Sequence, residues 1–339
     1  MKLATCVRHG AAFPFLGAQL SGKQTLLDLR SAARSAGDSG DVFADMLTYL
    51  DGGDEALQRA HELVEQTDRP PESAGVVPVG DVQLLSPLPR PRSIRDCLAF
   101  EQHYIGAMRT VAKWKLAPLA GLDRGIARVL GRGFLRPPKV WYERPIYYKG
   151  NPASVVGHEA DVQWPSFTEK LDFELELAVV IGQTGKDISV QRAREWIAGY
   201  TIFNDFSARD FQMYEMKGRL GPAKSKDFDT GNVLGPWLVT PDEIDDPYNL
   251  RMSARVNGEE WASGTSGDMR FTFEEMIAAI SQDETLYPGD VIGSGTLPGG
   301  CGLELDRWLK PGDVVELEIE RIGVLRNRVV RPEQLSAMS

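Results

Sequence analysis

The segment Leu171-Asp172-Phe173-Glu174-Leu175-Glu176-Leu177 sets three carboxylates at alternate positions. Side chains along a β-strand alternate between faces, so Asp172, Glu174 and Glu176 share one side and Phe173, Leu175 and Leu177 the other. One reading is a solvated acidic face opposite a core face. Against it, like charges at neighbouring positions repel, and the run continues into Val179-Val180-Ile181, which predicts burial. Buried carboxylates need a compensating cation. Carboxylates converging on one point suit a hard divalent ion such as Mg²⁺ or Ca²⁺.

Two further clusters add candidate groups. In Tyr200-Thr201-Ile202-Phe203-Asn204-Asp205-Phe206-Ser207-Ala208-Arg209-Asp210-Phe211-Gln212, an apolar strand ends at Asp205. Ser207 and Asp210 make a capping-box spacing that predicts a helix start. Arg209 and Gln212, three apart, then share a helix face. The alternative for Arg209 is an ordinary surface ion pair. The third cluster, Arg95-Asp96-Cys97-Leu98-Ala99-Phe100-Glu101-Gln102-His103, predicts a helix with Asp96 and His103 on one face, ~10.5 Å apart along the axis. Such a pair flanks a substrate without touching. Of the four histidines, only His103 lies among other candidate groups.

The elements that must position these groups read as a mixed β fold. Strands are predicted at 174–181, 198–203, 237–239, 252–256, 291–292 and 314–319, and helices at 93–109, 190–197, 208–217 and 273–281. Residues 1–80 read as a small N-terminal support domain, with helical spacing at 26–30, 42–47 and 54–67 and a linker at 68–75. Residues 81–339 read as the catalytic domain. The irregular order favours an α+β, mostly β, architecture over repeating βαβ units.

The 339 residues carry 38 Lys plus Arg against 48 Asp plus Glu, a formal charge of −10. That balance argues against nucleic-acid or anionic-membrane partners, which require a positive field. No run reaches the roughly 20 apolar residues of a membrane helix. The first ten residues lack the apolar core of a signal peptide. Cys6, Cys97 and Cys301 are too scattered for a zinc knuckle or disulfide framework. A cytoplasmic location is the expectation.

Taken together, the clusters resemble the fumarylacetoacetate hydrolase family. The resemblance rests on Asp96 to His103, Tyr148-Lys149-Gly150-Asn151-Pro152, Glu174-Leu175-Glu176, Asn204-Asp205-Phe206-Ser207-Ala208-Arg209-Asp210-Phe211-Gln212, Lys226-Asp227-Phe228-Asp229-Thr230, Gly235-Pro236-Trp237 and Gly293-Ser294-Gly295-Thr296. It implies a rolled mixed β-sandwich and a homodimer. It also implies a Mg²⁺ (or Mn²⁺ or Ca²⁺) ion held by Asp96, Glu174, Glu176 and Asp205. His103 would activate water, oriented by Glu304, with Lys226 as a further catalytic group. Tyr148, Arg209, Gln212 and Thr296 would contact a diketo or keto acid substrate.

Chemically, cleaving a carbon–carbon bond beside a carbonyl needs an electron sink, which a Lewis-acid cation supplies. A histidine titrates near working pH and suits proton transfer from water. Lys226 and Arg209 would offset oxyanion charge and bind a substrate carboxylate. The Gly293–Gly300 stretch would bring backbone N–H groups to an anionic substrate end, or serve as an ordinary turn. The leading expectation is a hydrolase of a β-diketo acid, of the fumarylacetoacetate or acylpyruvate kind met in aromatic catabolism. The alternatives are a 2-keto acid decarboxylase, dehydratase or isomerase, or a metal-binding scaffold without turnover. Leu98 stands where the family's fumarylacetoacetase branch carries tyrosine, which bears on substrate identity. Arg124, Arg128, Arg132 and Arg136, spaced four apart, read as a solvated helix face, a subunit contact or a lid, since Gly131 and Gly133 interrupt the helix.

Overall fold

The computed structural model describes residues 1–68 and 75–331. Of the expected linker, residues 69–74 lie outside the described residues. Twelve strands of the described residues form one mixed sheet. From the middle to one edge it runs Asn232–Val239, Ile197–Asp205, Leu175–Ile181, Asp290–Gly293, Ser93–Cys97 and Tyr147–Gly150 in spatial order. Neighbours are antiparallel except that Asp290–Gly293 pairs parallel with Ser93–Cys97, register Gly293 opposite Asp96.

The Leu175–Ile181 strand is buried along its whole length because each face feeds a different core. Leu175, Leu177, Val179 and Ile181 pack with Met252, Ala254, Leu317 and Leu325 of a separate five-stranded sheet, giving the sandwich. Ala178 and Val180 pack on the opposite face with Phe203, Ile94, Leu238 and N-terminal residues such as Leu3, Phe43 and Leu63. The fold is α+β and mostly β. Residues 1–80, expected to form a support domain, extend the same sheet through Lys2–Arg8, which pairs with Asn232–Val239, followed outward by Phe15–Gln19, Thr25–Asp28 and Val76–Pro78.

Several predicted elements recur closely, notably Phe273–Ser281, closed by a capping box from Thr272 and Glu275, and the strand Val314–Ile319. Others change. The expected 93–109 helix is the strand Ser93–Cys97 followed by the helix Glu101–Lys115. Pairing on both edges claims the first five residues for the sheet. Asp96 and His103 therefore do not share a helix face. The expected 190–197 helix is only a 3₁₀ turn, Ala193–Trp196, because Ile197 already begins a strand. In the N-terminal part, 26–30 divides into the strand Thr25–Asp28 and the helix Leu29–Ser35. Ser207 and Asp210 form no capping box: Ala208 is the N-cap residue and has no side-chain cap bond. Asp210 instead accepts from Glu169 N and the Thr168 hydroxyl, tying down the preceding loop.

Of the arginine stripe, Arg124 and Arg128 project to solvent from the helix Ala117–Leu130, which ends at Gly131 in the left-handed region. Asp123 on its inner side is fully buried and accepts from Arg109 Nε, Phe134 N and Leu135 N, fastening this helix to the Glu101–Lys115 helix and to the following loop.

Candidate active site

Asp96, Glu176 and Asp205 come from three strands of the large sheet, on the face that carries Ile94, Ala178 and Phe203. Strand alternation aims all three the same way. One oxygen of each lies within 4.8 Å of the others, and all three residues are buried. The strand between those of Glu176 and Asp96 contributes Gly293, where a Cβ would sit 2.5 Å from Asp96 Oδ1 and 2.9 Å from Glu176 Oε2. Glycine leaves that space to the carboxylates. Gly295, at φ +80°, turns its N–H onto Asp96 Oδ1 (3.2 Å) and Glu176 Oε2 (3.0 Å), and Thr296 Oγ1 donates to Glu176 Oε1 at 3.4 Å. Gly295 thus spends its N–H on the protein's own carboxylates.

Burial, and then the neighbouring acids, push Glu176 well above the usual carboxylate range. Burial likewise pushes Asp96 up to about 6. Asp205 is also raised well above its ordinary value by burial, despite the opposing pull of Lys226. Asp205 Oδ2 accepts from Tyr148 OH at 2.6 Å and from Lys226, whereas Oδ1 is buried with no hydrogen-bond partner. An orphaned oxygen on an acid clustered with two others is a fitting donor for a cation, and an all-oxygen set suits a hard divalent ion. Asp96, Glu176 and Asp205 fit such an ion.

Glu174, expected with them, is engaged beside the cluster. Its Oε1 accepts from Arg209 Nη2 at 2.6 Å, and its Oε2 meets Lys226 and Ser207. Burial alone would raise its pKa, but Arg209 and Lys226 hold it well below the usual range. Lys226 is raised above an ordinary lysine because Asp205 and Glu174 outweigh its burial, so it stays charged. Arg209 is buried and donates from each of its three nitrogens: Nε to Asp172 Oδ2 (2.8 Å), Nη2 to Glu174, and Nη1 to Gln212 Oε1 (3.0 Å). The geometry shows it ordering Asp172, Glu174 and Gln212.

Across Glu174 stands a second pair. His103 Nδ1 lies 2.6 Å from Glu304 Oε1, and its Nε2 lies 3.9 Å from Glu174 Oε1. An ionised carboxylate only accepts, so Nδ1 carries the proton and Nε2 is left as the basic nitrogen. Glu304 is fixed by Gly299 N at 3.0 Å. One turn beyond His103, Gly106 makes room for it, since a Cβ there would lie 2.3 Å from Glu304 Oε2. Sequence reasoning missed three contributors: Gly106, Cys301, whose Sγ lies 4.0 Å from His103 Nδ1, and the tie of Asp172 to Gly302 N and Leu303 N. Only Asp172 had a visible signal, its place in the alternating acidic run.

A model described as the fumarylacetoacetate (FAA) hydrolase C-terminal domain matches residues 124–330. This chain belongs to the fumarylacetoacetate hydrolase family. Human mitochondrial oxaloacetate tautomerase FAHD2A is 45% identical over 192 residues, 56% of this chain and 60% of that protein. The match thus spans about three-fifths of that relative's length. Oxaloacetate tautomerase YisK of Bacillus subtilis (strain 168) is 30% identical over 335 residues, 97% of this chain and all of that protein. Among solved structures, the fumarylacetoacetate hydrolase of psychrophilic Exiguobacterium antarcticum superposes with a TM-score of 0.70 at 26% identity, covering 98% of this chain and 99% of that one. The chain is thus a member of an enzyme family that acts on small molecules. No helix among the described residues is long and apolar enough to cross a membrane.

Proposed function

We propose that this chain is a divalent-metal-dependent keto–enol tautomerase of oxaloacetate or a closely similar 2-oxo diacid. The carrying observation is the placement of the His103–Glu304 dyad beside the three-acid cluster, separated from it by Glu174. Tautomerisation asks for a single base that takes a proton from carbon and a site that stabilises the resulting negative oxygen. The full-length similarity to a bacterial oxaloacetate tautomerase supports this choice over carbon–carbon cleavage.

Asp96, Glu176 and Asp205 would hold a divalent cation, which would supply Lewis-acid polarisation to a bound 2-oxo acid. His103 Nε2 accepts the proton from the carbon next to the ketone while Glu304 holds Nδ1–H and stabilises the imidazolium. Lys226, kept charged, offsets the negative charge that gathers on the oxygen. The proton then returns to oxygen for the enol, or to carbon in the reverse direction, so no water is consumed. Tyr148 and Lys226 hold Asp205, and Thr296 and Gly295 hold Glu176.

Hydrolysis of a β-diketo acid is the second reading, because the same dyad can deprotonate water and a solved hydrolase shares the fold. The test follows the enol absorbance of oxaloacetate with Mg²⁺ and assays products. Faster enol–keto exchange with oxaloacetate conserved supports the tautomerase. Cleavage of acylpyruvates without that acceleration transfers the chain to the second reading.

A further inference from the structure

Asp172 belongs to neither the three-acid cluster nor the base pair, yet it is fully buried and completely engaged. Its oxygens accept from Gly302 N at 2.7 Å, Leu303 N at 2.9 Å and Arg209 Nε at 2.8 Å. The first two donors open the four-residue helix Gly302–Leu305 that carries Glu304. Amides at the start of a helix have no intrahelical acceptor, and so short a helix has few constraints of its own. Gly302 permits the close approach: a Cβ there would lie 2.7 Å from Asp172 Oδ1. Nη2 of the same guanidinium grips Glu174, which contacts Lys226, which contacts Asp205.

We infer that Asp172 and Arg209 are positioning residues that fix the His103–Glu304 dyad relative to the acid cluster. The inference deepens the tautomerase reading and rests on it for the meaning of the dyad. A bidentate guanidinium joining two carboxylates sets distance and angle together, which a lysine cannot do. Small displacements of a base from its substrate proton are costly in rate. A purely structural Asp172 would support folding without bearing on the His103–Glu304 bond.

The test uses full-length protein with ¹⁵N-labelled histidine. With four histidines in the chain, the strongly deshielded proton expected on His103 Nδ1 is assignable by its loss in Glu304→Gln. In Asp172→Asn that resonance is expected to vanish or broaden, with kcat for oxaloacetate down roughly tenfold or more, KM within about threefold, and Mg²⁺ affinity by calorimetry unchanged. Should Asp172→Asn fail to fold, Arg209→Lys, read the same way, is expected to lose the resonance. Absence of the resonance from wild type, its persistence in a folded variant, or a parallel loss of Mg²⁺ affinity in Asp172→Asn overturns the inference. A wild type inactive on 2-oxo acids, with the resonance present and lost in Asp172→Asn, removes the tautomerase reading and leaves the positioning role supported.

Discussion

Asp205 keeps one buried oxygen without a partner, an arrangement that costs about 1–3 kcal/mol unless something fills it. Asp205→Asn and Glu176→Gln are therefore expected to keep the fold and lower Mg²⁺ affinity by about 100-fold or more, read by calorimetry. The pH dependence follows from the raised carboxyls. A cation binds the ionised acids, and Asp96 stays protonated up to about 6. Mg²⁺ affinity is thus expected to rise as pH climbs through about 6, with proton release seen as buffer-dependent heat. The same raised pKa means that the metal-free folded protein holds a proton the unfolded chain has already lost. Its stability is expected to fall as pH rises through that window, an effect saturating Mg²⁺ removes. At this scale the sequence was informative about residue types: alternation put Asp172, Glu174 and Glu176 on one face, and all are buried. The division of labour among them was hidden, because it depends on Arg209 and Lys226, which approach from other segments.

Elements decide whether those side chains meet. Strands with apolar runs, such as Leu175–Ile181 and Val314–Ile319, were legible because both periodicity and β-branched content agree. Ser93–Cys97 was not, since Ile94, Cys97 and Leu98 mimic helical spacing and only pairing with Asp290–Gly293 and Tyr147–Gly150 overrides it. That error displaced Asp96 from the sheet face on which it joins Glu176. The role of Gly293 was equally invisible, being a matter of what two neighbouring strands place above it. Gly293→Ala is expected to force Asp96 and Glu176 apart and weaken Mg²⁺ binding about tenfold or more, with Tm measured alongside to separate local from global effects.

For the whole molecule, the sheet face that ends in the acids is covered further along by the N-terminal residues. Leu3, Leu27, Phe43 and Leu63 share one core with Ala178, Val180, Phe203 and Ile94. A chain beginning at residue 81 would expose that face, and is expected to lose cooperative unfolding and Mg²⁺ affinity together, followed by calorimetric melting. Persistence of both would show the N-terminal part to be an independent support. The central claim is that Asp96, Glu176 and Asp205 grip one divalent ion beside a His103–Glu304 base. Anomalous scattering from crystals grown with Mn²⁺ tests it most directly. A single strong peak bounded by oxygens of those three acids is expected, absent in Asp205→Asn. No peak there, or a peak held by other residues, would contradict it.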